Sequence, residues 1–184
     1  MTRDRCDIRR QFRAVDAAFR AGDMDALRKA LGDPPDFPNC VLPLELGLGD
    51  HPLDYAIYWS PPAFVEALIG VGADPNHADA GGFPSLIAAL SSDRADRYAL
   101  LGLLLDHGAD LAQRGLNDWT PLHGAVWHRD LKAVELLLAR GADPDLKTRI
   151  DDYTTPLEDA EANGFAAAAA VLAKARVAGR DAGR

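Results

Sequence analysis

The apolar residues of this chain recur at helical spacing in short blocks, and glycine punctuates the blocks. Leu131, Val134, Leu137 and Leu138 share one face of a helix. Phe64–Ile69 and Tyr98–Leu105 hold the same place in two earlier blocks. Each run closes at Gly72, Gly108 or Gly141, where a left-handed residue stops a helix. Pro75 and Pro144 keep the helix from resuming. A second helix precedes each run. Thr120-Pro121-Leu122 offers a capping hydroxyl, then a proline at the first helical position, where its missing N–H costs nothing. Thr155-Pro156-Leu157-Glu158 repeats this and adds a capping box. His51-Pro52-Leu53 keeps the proline and loses the threonine. Pro84-Ser85-Leu86 sets its proline one residue early, so Ser85 is expected to take over part of the capping. Ala17–Leu31 reads as a further helix pair, and the alanine run Ala166–Ala170 as the start of a last helix.

The paired helices repeat. Leu53, Leu86, Leu122 and Leu157 lie 33, 36 and 35 residues apart. The triplets Gly72-Ala73-Asp74, Gly108-Ala109-Asp110 and Gly141-Ala142-Asp143 lie 36 and 33 apart. The stretch Trp119-Thr120-Pro121-Leu122-His123-Gly124-Ala125, closing at Gly141-Ala142-Asp143, resembles one repeat of the ankyrin family, and the other blocks resemble degraded copies of it. The resemblance implies an all-α solenoid of about five helix–turn–helix repeats with projecting β-turn or hairpin loops. The repeats are placed near 12–44, 45–80, 81–116, 117–149 and 150–174, the first and last serving as caps with polar outer faces. Residues 1–11 are expected to form a charged tail, and 175–184 a polar tail.

Three intervals depart from the period. Gly32 to Leu53 spans 21 residues, where Gly72 to Leu86 and Gly108 to Leu122 span 14. Prolines 34, 35 and 38 make it a stiff, long loop. The third repeat carries about three extra residues near 91–97, expected to lengthen the turn between its helices. The loop near 148–153 is longer by two.

Composition changes the picture little. At 48% apolar and 26% charged residues, the 184-residue chain can build a core without staples. Cys6 and Cys40 cannot form a disulfide framework, so a reducing compartment is expected. No apolar run reaches the ~20 residues of a membrane helix. The charged start has no apolar segment of a secretory signal, and the expected location is cytoplasmic. The net charge of −8 argues against a nucleic-acid partner and would favour a protein partner with a basic surface.

Candidate chemistry is sparse. No P-loop, dinucleotide fingerprint or nucleophile elbow is present. No two histidines stand at H-x-x-x-H spacing and no cysteines at C-x-x-C, so neither a zinc site nor another metal or cofactor is expected. His123 belongs to the repeat motif and is expected to tie the helix start to neighbouring backbone. No catalytic residues are assigned.

The resemblance implies that two sets of positions are free to vary: the loop residue before the T-P-L-H motif, and the pair ending the first helix. Trp119 and Phe83 hold the loop position, with Tyr153 beside it in the last repeat. Tyr58-Trp59 and Trp127-His128 hold the helix-end pair. These aromatics are expected to anchor a partner, with Arg114, Arg149 and Asp79 as a charged rim. The expected function is a non-catalytic protein-interaction module: an adaptor, inhibitor or regulatory subunit. One alternative is a small-ligand or modification enzyme with the 32–50 loop as a lid. Another is a self-association scaffold.

Overall fold

The computed structural model describes residues 4–43, 51–77, 83–150 and 153–182. Among them are ten α-helices and no strand. The helices are α1 (Arg5–Ala21), α2 (Met24–Leu31), α3 (Pro52–Trp59), α4 (Pro62–Gly70), α5 (Ser85–Ser91), α6 (Arg97–Asp106), α7 (Pro121–Trp127), α8 (Leu131–Ala139), α9 (Pro156–Ala162) and α10 (Ala166–Ala182). Odd-numbered helices pack on the even-numbered helix that follows. Each odd helix also packs on the next odd one, from α1 through α9. This is the stack of helix pairs expected of an ankyrin solenoid.

The stacking follows from one small residue. Ala56, Ala89, Ala125 and Ala160 each stand three residues after the motif leucine, and all four are 0% exposed. A methyl group there lets successive first helices approach closely. The leucines fill the space beside them, and a second apolar row, Leu68, Leu104, Leu137 and Leu172, seals the second helices. Each fully buried leucine contributes about 1.5–3 kcal/mol.

The helix stops behave as the sequence suggests. Gly108 and Gly141 take φ of 84° and 93°, conformations that a Cβ would oppose. Ala73, Ala109 and Ala142 then donate their N–H groups to the carbonyls of Leu68, Leu104 and Leu137, satisfying acceptors the helix leaves open. The aspartate of each triplet turns the chain: Asp74, Asp110 and Asp143 each accept, at 2.8 Å, the N–H two residues on. The Thr155–Glu158 capping box forms, with Glu158 Oε2 accepting the Thr155 N–H at 2.7 Å.

Several expectations need correction. The expected N-terminal tail, 1–11, is helical from Arg5 onward, because Asp4 caps the helix and Ile8 continues the apolar face of Val15 and Phe19. Of the expected C-terminal tail, 175–184, the described residues 175–182 are the last part of α10, which runs to Ala182. Its alanines have high helix propensity and no proline interrupts them, and Arg176 pairs with Asp145 of the loop after α8. Ser85 does not cap α5: its hydroxyl is buried and donates to the Pro75 carbonyl at 2.6 Å.

The three extra residues of the third repeat do lengthen the turn, which spans 92–96 between α5 and α6. They also carry Arg94, which donates to the carbonyls of Ile57 and Ser60 at the end of α3 and is oriented by Asp96. The described part of the long 32–50 loop packs onto the fold through buried Cys40 and Leu42. Asn39 fixes it further, donating to the Gly72 carbonyl and accepting from the Asp74 N–H, both at 2.8 Å. Asn76 makes the same two bonds to Gly108 and Asp110 one loop further on. Cys6 and Cys40 are free thiols.

Candidate functional site

The TPLH segment positions the site. Thr120 caps α7, and its hydroxyl meets His123 Nδ1 at 2.8 Å. The Thr120 N–H also points at Nδ1, so Nδ1 accepts and Nε2 carries the proton, donated to the Thr154 carbonyl at 3.1 Å. Burial holds the His123 imidazole below its ordinary pKa; the Thr154 carbonyl opposes this. His123 therefore ties two repeats together as a neutral ring, and it is not a chemical group on offer.

What flanks this segment is different. Trp119 is half-buried at its start and Trp127 is 59% exposed at its end. The two indoles pack at 5.0 Å between centroids, tilted by 42°. Together they form a ridge with a cleft on each side. One cleft, about 380 Å³, runs from Phe83, Ile87 and Leu90 to Leu116 and ends at His128. The other, also about 380 Å³, is bounded by Ile150, Thr154, Asp159 and Asn163. The helix ends thus supply an exposed apolar surface that the stack itself does not seal. Aromatic surface of this kind marks interaction sites.

The structure brings four of the expected residues to this ridge: Phe83, Trp119, Trp127 and His128. His128 Nε2 lies 3.4 Å from the Ser91 hydroxyl across the cleft. Tyr58 and Trp59 line neither cleft. Tyr58 packs partly against the core, and Trp59 is 50% exposed with the Arg20 guanidinium 4.7 Å above its ring. Tyr153 is exposed at the turn that opens the last repeat, at φ 53°. Asp79 lies outside the described residues.

Arg114 and Arg149 converge on one carboxylate that the sequence did not single out. Asp118 receives Arg114 Nη1 at 2.8 Å and Arg149 Nη2 at 2.6 Å. The backbone N–H of Arg149 donates to it as well. The Arg149 hydrogen bond, with further help from Arg114, holds Asp118 below the usual carboxylate range. Asn117 and Asp118 both sit at positive φ, 57° and 58°, so this tie fixes the loop that presents Trp119. Arg149 remains largely exposed while paired. A left-handed Asn-Asp step was a local signal available in the sequence; the partner 31 residues away was not.

A family model described as ankyrin repeats in three copies matches residues 53–148. The chain is 33% identical over 102 residues to alpha-latroinsectotoxin-Lt1a of Latrodectus tredecimguttatus, and 39% identical over 75 residues to BCL-6 corepressor-like protein 1 of Homo sapiens. It is 30% identical over 144 residues to inversin of Mus musculus. These matches take in 55%, 41% and 78% of this chain but 7%, 4% and 13% of the three relatives. The chain thus corresponds to a small part of each.

Proposed function

The chain belongs to the ankyrin repeat family, and from that premise we propose that it is a non-catalytic adaptor, inhibitor or regulatory subunit that holds a protein partner on its Trp119–Trp127 ridge. Ankyrin repeats generally mediate protein–protein interaction. The observation that carries the reading is the pair of packed indoles, one of them 59% exposed, standing between a mostly apolar cleft and a more polar one. A ring that the stack does not bury contributes little to folding, while aromatic anchors dominate interface energies. Phe83 and His128 extend the surface along the first cleft. Tyr58, Trp59 and Tyr153 offer further aromatic contacts outside it. The acidic balance of −8 favours a partner with a basic face, and Arg149 belongs to the polar rim. A reducing, cytoplasmic setting fits two unpaired thiols. Among the described residues no helix is long and apolar enough to cross a membrane.

The lid reading of the 32–50 loop gains no support from residues 33–43, which Leu42, Cys40 and Asn39 tie to the core. The test is capture of a partner from host lysate on the whole chain and on Trp127→Ala. The substitution should weaken capture at least about thirtyfold. It should cost under about 1.5 kcal/mol of stability, because most of the ring is already in water. Equal capture by both proteins would show that the ring is no anchor, and a loss of about 3–5 kcal/mol, as for a core aromatic, would show it to be structural. Light scattering on the free chain separates a monomeric module from a self-association scaffold.

A further inference from the structure

The second repeat has exchanged its framework polar residues for metal-ligand chemistry. Where α7 begins Thr120-Pro121-Leu122-His123, α3 begins His51-Pro52-Leu53-Asp54. In the loop after α4, His77 stands where the next loop carries Gln113, three residues past the triplet aspartate in each case. The fold brings the three exchanged residues together. Ligand atoms of His51, Asp54 and His77 all lie within 4.8 Å of one another. The two imidazoles meet edge to face at 4.2 Å between centroids.

The hydrogen bonds set the character of each ligand. His77 Nδ1 faces the Asp74 carbonyl at 2.8 Å, and a carbonyl only accepts, so Nδ1 carries a proton. A neutral His77 then turns the lone pair of Nε2 toward Asp54 Oδ2, 3.0 Å away. A second proton on His77 would make this contact an ion pair, and a metal ion competes with that proton for the same lone pair. An Nδ1–H held by a backbone carbonyl is also the orientation that metal-ligating histidines use. Asp54 is 8% exposed, and its Oδ1 is buried without a hydrogen-bond partner among the described residues. Side chains of His77 and Asp54 are 9% and 11% exposed, so an ion between them would be largely withdrawn from bulk water.

We propose that His51, Asp54 and His77 form a binding site for a divalent transition-metal ion of the zinc class. Two imidazole nitrogens and one carboxylate oxygen suit such an ion, with ligands at about 2.0–2.2 Å. Tetrahedral ligands at that distance stand roughly 3.3 Å apart. The His77–Asp54 separation, 3.0 Å, is near that value already, and the set as a whole lies within 4.8 Å. The fourth position is left to water or to a donor from outside the chain. The ion would join the start of α3 to the loop after α4. This site is separate from the aromatic ridge and does not depend on it.

The sister repeats supply the variants for the test. His51→Thr and His77→Gln install the residues that α7 and the next loop use at the same places, so both variants should fold. Chelator-treated protein is titrated with Zn2+ and followed by calorimetry and thermal melting. Wild type should bind one equivalent and melt several degrees higher with excess metal. Each variant should lose at least about tenfold in affinity, and His107→Gln should not. With Co2+, wild type should give the visible d–d bands of a low-coordinate site. Absence of one-to-one Zn2+ binding, absence of the Co2+ bands, or undiminished affinity in His51→Thr and His77→Gln would each overturn the proposal.

Discussion

His123 shows how a residue can look chemical and be structural. Its place in the motif was legible in the sequence, and so was its service to the helix start. The Thr120 N–H sets its tautomer locally, but the carbonyl that receives its Nε2 proton, that of Thr154, lies 31 residues away and was not legible. Burial is the main cause that holds it neutral, and the consequence for stability has a definite sign. The unfolded chain takes up a proton as pH falls through the ordinary value of 6.5, while the folded chain resists. Folding stability is therefore full above pH 6.5 and declines as pH drops below it. Chemical denaturation of wild type and His123→Gln between about pH 5.5 and 8 should show a fall below pH 6.5 in the wild type that is smaller in the variant. The tryptophans illustrate the opposite case. Sequence position picked out Trp119 and Trp127 as rings the framework does not require, but only the fold stacks one on the other.

At the level of the element, the helix boundaries with explicit chemistry were readable, and those held by distant partners were not. The Thr-Pro starts and Gly stops fall where expected. Asp130 was passed over, although it caps α8 by accepting the Ala133 N–H at 3.1 Å. It also receives the Tyr98 hydroxyl at 2.9 Å and Arg97 at 2.7 Å, both from α6 of the preceding repeat. One carboxylate thus caps its own helix and fastens the neighbouring one. Burial pushes its pKa up, but the Ala133 N–H, Tyr98 and Arg97 outweigh that and hold it below the usual carboxylate range. Asp130→Ala should cost about 2–4 kcal/mol, the loss of a cap together with two stranded donors. Urea denaturation measures it. The paired bonds of Asn76 to the next loop are more exposed and individually modest. Asn76→Ala should lower stability by about 1–2 kcal/mol, read from the same denaturation midpoint. The spacing of 37 between Asn39 and Asn76 was visible in the sequence, but the period near 33 drew attention to the helices and away from the loops.

For the molecule as a whole, the repeat period was enough to give the architecture, because each helix pair buries its apolar face only on its neighbours. The two ends escaped, since nothing in a charged or alanine-rich segment marks where the last turn of helix lies. The contacts between successive loops escaped for a different reason: they depend on which side chains face one another across a repeat. Asn39 joins its loop to the loop after α4, and Asn76 joins that one to the loop after α6. Asp118 and Arg149 join the loop after α6 to the loop after α8. The first two joints are neutral amides and the third is an ion pair. Dissolved electrolyte screens the third and leaves the others almost untouched. Adding salt should therefore quicken hydrogen exchange at the Arg149 amide, which donates to Asp118, and not at the Asp74 and Asp110 amides, which donate to asparagine. Asp118→Asn should remove that difference. The array is then not uniformly stiff. The loop that presents Trp119 is thus tied to the next loop by an ion pair that ambient electrolyte weakens, while the asparagine joints hold.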